Sequence, residues 1–273
     1  MAAIPKSRVR NPMDKLELRE VDRKRYEEWA ANSESNDLYR SFVRVGSTMS
    51  MGRKHRFWCD KQQRIVELMS DGELRAYKYL IWQPNVVSIK EQYALNPVTT
   101  FNIAKRRKVM HPYSYKQRVH HIMSTDFLVT SVNEDGVCVQ HAYPYKISEP
   151  TRPSRTAQKL DIEAEFWALR NVPSTLLTDE QISKEWFLTL LFCELHYDSQ
   201  LQFSHLSDFS NKLLGLYQQN PWLSLRDLLK KAAASMKTHY FDAERLFKNA
   251  VLQGLLPLSQ QKRVRLNEAL LLG

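Results

Sequence analysis

VHHIMSTDFLVTSVNEDGVCVQHAYPYK, residues 119–146, places two apolar stretches on either side of Asn133-Glu134-Asp135-Gly136. A short polar turn ending in glycine between runs of β-branched and aromatic residues predicts a β-hairpin. Asp126 opens the first strand, immediately before Phe127, Leu128 and Val129. A carboxylate at the entrance of a buried strand loses hydration and needs compensation, either from backbone N–H groups at a strand end or from a cation. Side chains alternate along a strand, so Gln140 and Ala142 share a face that can meet Asp126, while His141 points away.

Outward from this hairpin the chain alternates helix and strand. Residues 1–52 read as a charged arm, with a helix over ELREVDRKRYEEWA and a looser connector over SESNDLYRSFVRVGSTMSMG. From residue 53, HRFWCDKQQRIVELMS predicts a hairpin and DGELRAYKYLIW a helix capped by Ser70 or Asp71. NVVSIKEQYALN reads as an extended segment. After the central hairpin come the helix TAQKLDIEAEFWALRN and a short strand in PSTLLTD, which makes residues 53–178 a mixed α/β layered domain. Residues 179–273 turn helical, with apolar spacings of three and four in four successive segments. LLPLSQQKRVRLNEALLLG then reads as the two strands and polar tip of a wing.

Forty Lys+Arg against thirty Asp+Glu give a net charge of +10, which suits a polyanionic partner such as nucleic acid. No stretch has the length and apolarity of a signal peptide or membrane span, so the expected compartment is the cytoplasm and no membrane partner is expected. Cys59, Cys138 and Cys193 are far apart and lack CxxC spacing, as expected of reduced thiols rather than a disulfide framework or a zinc site.

Glu73 falls in the first turn of the helix starting near Ser70, where the helix dipole favours an anion whatever else that anion does. Glu73, Asp126, the amide oxygen of Gln140 and the backbone carbonyl of His141 together form a set of hard oxygen ligands suited to Mg2+ or Mn2+. A helix acid, an acid opening a strand, and a polar residue on the next strand is also the arrangement of many metal-dependent DNA nucleases.

The order and spacing of SDGELRAYKYL, VVSIKEQYALNP, HPYSYKQRVHHIMSTDFLV, GVCVQHAYPYK and KLDIEAEFWALRNVPSTLLTDEQI resemble the TnsA family of transposon-end endonucleases. The resemblance covers roughly residues 53–182 and is strongest at MSTDFLV. It implies a restriction-endonuclease-like N-terminal domain, a mainly helical winged-helix-type C-terminal domain, and Mg2+-dependent hydrolysis at the 5′ ends of a bacterial transposon. It further implies a TnsB-like DDE transposase and a TnsC-like AAA+ ATPase as partners, the latter through the C-terminal domain.

By position, the family's helix acid falls on Glu73, its strand acid on Asp126, and an acid of its active-site helix on Glu163, although Glu163 reads equally as a helix surface residue. Where the family has Gln-Val-Lys, this chain reads Gln140, His141 and Ala142, without the lysine. Three explanations are open: an engineered inactivating substitution, preferred because Gln140 and both acids are retained; a departure in which Lys146 reaches back; or a natural pseudo-nuclease acting as an adaptor that docks DNA, transposase and ATPase without cutting. Gln92 either supports the metal shell or pairs with backbone, and His120, His121 and His141 are structural or DNA-facing. Residues 101–121 hold six Lys+Arg and no acid, so Lys105, Arg106, Arg107, Lys108, Tyr113, Lys116 and Arg118 are expected to contact DNA phosphates.

Overall fold

The computed structural model describes residue 13 and residues 16–33, 39–46, 52–148 and 154–273. Much of the expected connector at 33–52, and nearly all of residues 1–15, lie outside the described residues. Among the described residues no helix is long and apolar enough to cross a membrane, and the three cysteines are free.

A three-stranded antiparallel sheet, in the order β3 (Val86–Ala94), β6 (Ser124–Val132), β7 (Cys138–Tyr143), forms the centre of the fold once β1 (His55–Cys59), β2 (Arg64–Leu68), β4 (Tyr113–Ser114) and β5 (Val119–His120) are numbered in chain order. The β6–β7 hairpin turns where the sequence predicts. Asn133 Oδ1 accepts from the N–H groups of Asp135 and Val137, and Gly136 takes φ 77°, a conformation that suits glycine. β6 is the middle strand and is apolar on both faces, as a strand covered on both sides must be. Ile89, Phe127 and Val129 pack against Tyr77, Leu80 and Ile81 of α2 (Asp71–Ile81). Leu128 and Ala142 pack on the other side against Ile103 of α3 (Pro97–Arg107) and Ile162, Phe166 and Trp167 of α4 (Ser154–Ala168).

The β1–β2 hairpin is joined to β3 by a buried ion pair, Arg64 Nη2 to Glu91 Oε2 at 2.6 Å. The helix of the arm, α1 (Glu20–Asn32), packs through Tyr26 and Trp29 around Phe42 and Ala94. Residues 39–42 cover the outer edge of β3: Tyr39 Oη donates to the Glu91 carbonyl at 2.6 Å, and Phe42 N–H donates to the Gln92 carbonyl at 3.2 Å. Past β7, the short β8 (Tyr145–Lys146) pairs in parallel with β9 (Leu177–Thr178).

Helices α5 (Lys184–Glu194), α6 (Phe203–Gln219), α7 (Leu225–Met236) and α8 (Tyr240–Leu252) occupy the four predicted helical segments. The apolar cluster of α2 continues without a break through Leu190 of α5 into Phe209, Leu228 and Phe247. Across the same junction Lys78 of α2 donates to Glu194 of α5 at 2.5 Å. The two expected wing strands are represented only by isolated antiparallel bridges, Leu258 with Leu272 and Ser224 with Ala269. Much of the backbone there has other partners: the carbonyls of Leu266 and Glu268 accept from Arg226 and Leu225 N–H at 2.8 Å each, and Val264 N–H donates to Thr189 Oγ1. Groups committed to the first turn of α7 are lost to a strand ladder.

Gly72 marks the tightest packing near the start of α2, since a Cβ there would run into the ring of Tyr145. Gly72→Ala is expected to cost about 1–3 kcal/mol through overpacking, despite the better helix propensity of alanine. Urea unfolding measures this; a neutral or stabilising effect would show that Tyr145 yields freely.

Candidate active site

Three chain segments bring Glu73, Asp126 and Gln92 together. Ser70 caps α2 by accepting from Glu73 N–H at 3.1 Å, and the Glu73 carboxylate turns back to accept Met69 N–H at 2.9 Å. The helix start therefore holds Glu73 in place, and the dipole preference read from the sequence operates alongside any further role. Gln92 Nε2 donates to Asp126 Oδ1 at 3.0 Å and to Glu73 Oε2 at 3.3 Å.

The β6–β7 ladder ends at Phe127 and Tyr143, and Pro144, which has no N–H to donate, follows. The chain restarts as β8, so that Tyr145 N–H donates to Asp126 Oδ2 at 2.7 Å and Lys146 Nζ reaches the same oxygen at 3.3 Å. From α4, Glu163 is 6% exposed and its Oε1 has no hydrogen-bond partner. Beside it, Thr125 Oγ1 accepts Trp167 Nε1–H at 2.7 Å.

The electrostatics follow from this crowding. Burial, and then the proximity of Asp126, push the Glu73 carboxyl up to about 7, against the opposing hydrogen bonds from Met69 and Gln92. The same two causes push Glu163 up to about 8. Burial lowers the affinity of Lys146 for its proton, but Asp126, Glu163 and Glu73 outweigh it and the net direction is upward. Carboxyls that share a poorly solvated space resist ionising together unless positive charge arrives.

A divalent cation would supply that charge. Among the described residues no three His, Cys, Asp or Glu side chains are grouped tightly enough to form a cage. The donors nevertheless fit a hydrated ion: Mg2+ retains several waters and is commonly held by one or two carboxylates, here Glu73 and Asp126, with the unpartnered Glu163 oxygen facing the same region.

Three sequence assignments need correction. Gln140 pairs with Thr130, four positions along β6 from Asp126, and is exposed, so it does not join the acids. His141 pairs with Val129 and its Nε2 lies 2.8 Å from Thr175 Oγ1, with its ring stacked on Tyr143; it is not beside Asp126. Ala142 is fully buried opposite Leu128 in the apolar layer under α4, where a lysine would bury an unpaired ammonium. The lysine beside the acids is Lys146. This is the alternative in which Lys146 reaches back, and counting alternate residues along one strand favoured Ala142 instead because Pro144 breaks the strand.

Glu163, readable as a surface residue, is buried because α4 lies with its Ile162/Phe166/Trp167 stripe on the sheet. Of the two roles open to Gln92 in the sequence, metal-shell support or backbone pairing, its amide lies with the carboxylates, and nothing nearby in sequence indicates that it joins two of them. Of the basic residues, Lys105, Arg106, Arg107, Lys108, Lys116 and Arg118 are exposed. Arg106 and Arg107 pair with Glu165, Arg107 at 2.8 Å, whereas Tyr113 Oη donates to Glu17 at 3.2 Å. His120 packs among Phe101, His111 and Tyr113, and His121 N–H donates to the Pro112 carbonyl.

The two raised acids have a sign-definite consequence. Glu73 and Glu163 hold protons in the folded chain that the unfolded chain, with an ordinary value of 4.5, has released, so stability falls as pH rises through about 7 and about 8. Between about pH 6.5 and 8.5, Tm should decline, Mg2+ should reduce the decline, and Glu163→Gln should flatten it. A metal-free Tm that rises across this range in scanning calorimetry would contradict the assignment.

Comparison with known proteins finds similarity over the part of the chain that carries most of this site. Residues 83–179 match the family model described as TnsA-like endonuclease N terminal. Over 175 residues the chain is 32% identical to the transposon Tn7 transposition protein TnsA of Escherichia coli, an overlap of 62% of this chain and 63% of that protein. The chain thus spans somewhat under two thirds of its curated relative. Residues 83–179, which carry Gln92, Asp126, Lys146 and Glu163, are similar to the N-terminal domain of TnsA-like endonucleases.

Proposed function

We propose that this protein is a divalent-metal-dependent DNA endonuclease that hydrolyses phosphodiesters at the 5′ ends of a transposon. The observation that carries the reading is the convergence of Glu73, Asp126 and Lys146, with Lys146 Nζ 3.3 Å from Asp126 Oδ2. Glu73 and Asp126 would hold Mg2+, with Mn2+ as a substitute; when bound, the ion polarises the phosphoryl oxygen, lowers the pKa of water and stabilises the leaving oxygen. Lys146 orients the attacking water and stabilises charge on the pentacoordinate phosphorus. Water oxygen bonds to phosphorus, the bond from phosphorus to the 3′-oxygen breaks, and the products are a 5′-phosphate and a 3′-hydroxyl. Glu163, pushed up to about 8 without metal, can take the proton released by the water once the charge of a bound ion has drawn off the proton it otherwise keeps.

The exposed Lys105, Lys108, Lys116 and Arg118 supply phosphate contacts, which position DNA without reading its sequence. For the C-terminal part we propose a winged-helix-type module. Helix α6, the bridge at Ser224, helices α7 and α8 and the return through Leu258 and Leu272 follow one another in that order. Its exposed Trp222, Phe241 and Leu195 suit protein contacts. By the resemblance of the sequence, its partners would be a DDE transposase and an AAA+ ATPase at transposon ends in a bacterial cytoplasm.

The competing adaptor reading depended on a missing lysine, and Lys146 removes that reason for it. In the presence of Mg2+, transposon-end DNA, transposase and ATPase, the chain should cut, and Lys146→Ala should lower the rate by about 10²- to 10⁴-fold with DNA binding little changed. End-labelled DNA on a denaturing gel measures both. Absence of cutting by the unmodified chain under these conditions, with the same complex assembled, would establish the adaptor reading instead.

A further inference from the structure

Gln92 stands opposite Asp126 in the β3–β6 register, between the pairs Glu91 with Phe127 and Tyr93 with Thr125. Its backbone lies in the left-handed region, at φ 49°, where a residue with a long side chain is disfavoured. Glycine or asparagine would occupy this conformation more readily, so a glutamine here requires a compensating interaction. The side chain provides one. It is 5% exposed, and its amide nitrogen gives one N–H to each of two carboxylates, Asp126 at 3.0 Å and Glu73 at 3.3 Å. At the other end, Ser124 Oγ donates to Gln92 Oε1 at 3.0 Å. The two carboxylates set the orientation of the amide, since turning it over would put its oxygen against both of them, whereas the Ser124 hydroxyl can donate or accept.

The kink also turns the Gln92 carbonyl toward the arm, where Phe42 N–H donates to it at 3.2 Å, so the unusual backbone is held from outside the sheet as well.

We infer that Gln92 is a positioning residue that sets the spacing of the Glu73 and Asp126 carboxylates for a divalent cation, through its two-way amide and the left-handed backbone beneath it. This rests on the reading of those carboxylates as metal ligands. The chemistry of the amide suits the task. A lysine would bring a full positive charge that competes with the ion, a glutamate would add a third anion and donate nothing, and an asparagine is a methylene short of both carboxylates. Glutamine alone among these donates two hydrogen bonds, adds no charge, and leaves the outer lone pairs of both acids free.

The test is Mn2+ binding by the full-length chain, read from the electron paramagnetic resonance signal of free Mn2+, alongside thermal unfolding. Gln92→Gly relieves the backbone and removes the clamp; Gln92→Asn keeps an amide and tolerates the backbone but falls short. Both are expected to fold, the relieved backbone of Gln92→Gly offsetting part of the lost hydrogen bonding, and to bind Mn2+ about 10- to 100-fold more weakly. A merely structural glutamine would lower Tm and leave affinity unchanged. Either folded variant binding Mn2+ as tightly as the unmodified chain overturns this inference alone, provided Glu73→Gln and Asp126→Asn still weaken binding. No Mn2+ binding by the unmodified chain overturns the inference and the metal-dependent reading together.

Discussion

Carboxylates brought together in a poorly hydrated space repel one another, and much of this fold is arranged around that repulsion. At an effective dielectric constant near 20, two unit charges 4 Å apart interact by about 4 kcal/mol, comparable to a large fraction of a domain's stability. Glu73, Asp126 and Glu163 come from a helix start, a central strand and a second helix. The compensations are local: Met69 N–H on Glu73, Tyr145 N–H and Lys146 on Asp126, and the Gln92 amide on both. They are incomplete, which is why Glu73 and Glu163 remain displaced upward to about 7 and about 8. Added positive charge would relieve a site left short of it in this way.

The layers around the sheet determine who can reach this point. Because β6 is central, its two faces are committed to α2 and to α3 with α4, and Asp126 at its N-terminal end is where elements from both sides come closest to a common point. Pro144 is as consequential as any charged residue. By ending the β7 ladder it releases Tyr145 N–H for Asp126 and lets Lys146 approach the acids from a short strand paired with β9. The apolar cluster continuing from α2 into α5 and beyond, together with the Lys78 and Glu194 pair, ties the helix bearing Glu73 to the C-terminal helices.

Local chemistry made several parts of this arrangement legible in the sequence. The Asn133-to-Gly136 turn, the Ser70 cap and the apolar run after Asp126 each specify structure within a few residues, and each was readable for that reason. Gln140, His141 and Ala142 were misplaced because alternation says which face a side chain takes, whereas position along the strand depends on register, and the register puts Gln140 opposite Thr130. Glu163 sits in a stretch rich in polar residues, and only the seating of α4 on the sheet buries it. The left-handed Gln92 has no local sequence signal, since the groups that hold it, Ser124, Asp126, Glu73 and Phe42, lie far along the chain. The expected wing is reduced to a short antiparallel pairing around Leu258 and Leu272, while the first turn of α7 takes the carbonyls of Leu266 and Glu268.

The central claim is that Glu73 and Asp126, spaced by Gln92 and flanked by Lys146, hold one divalent cation. A crystal of the full-length chain soaked in Mn2+, with diffraction recorded at the manganese absorption edge, tests it most directly. The account predicts an anomalous peak between the two carboxylates, with ligand oxygens at about 2.0–2.3 Å and Lys146 alongside without coordinating. A peak bound instead at Gln140 and His141, or no peak at Asp126 in a crystal whose DNA-cutting activity depends on Mn2+, would contradict it.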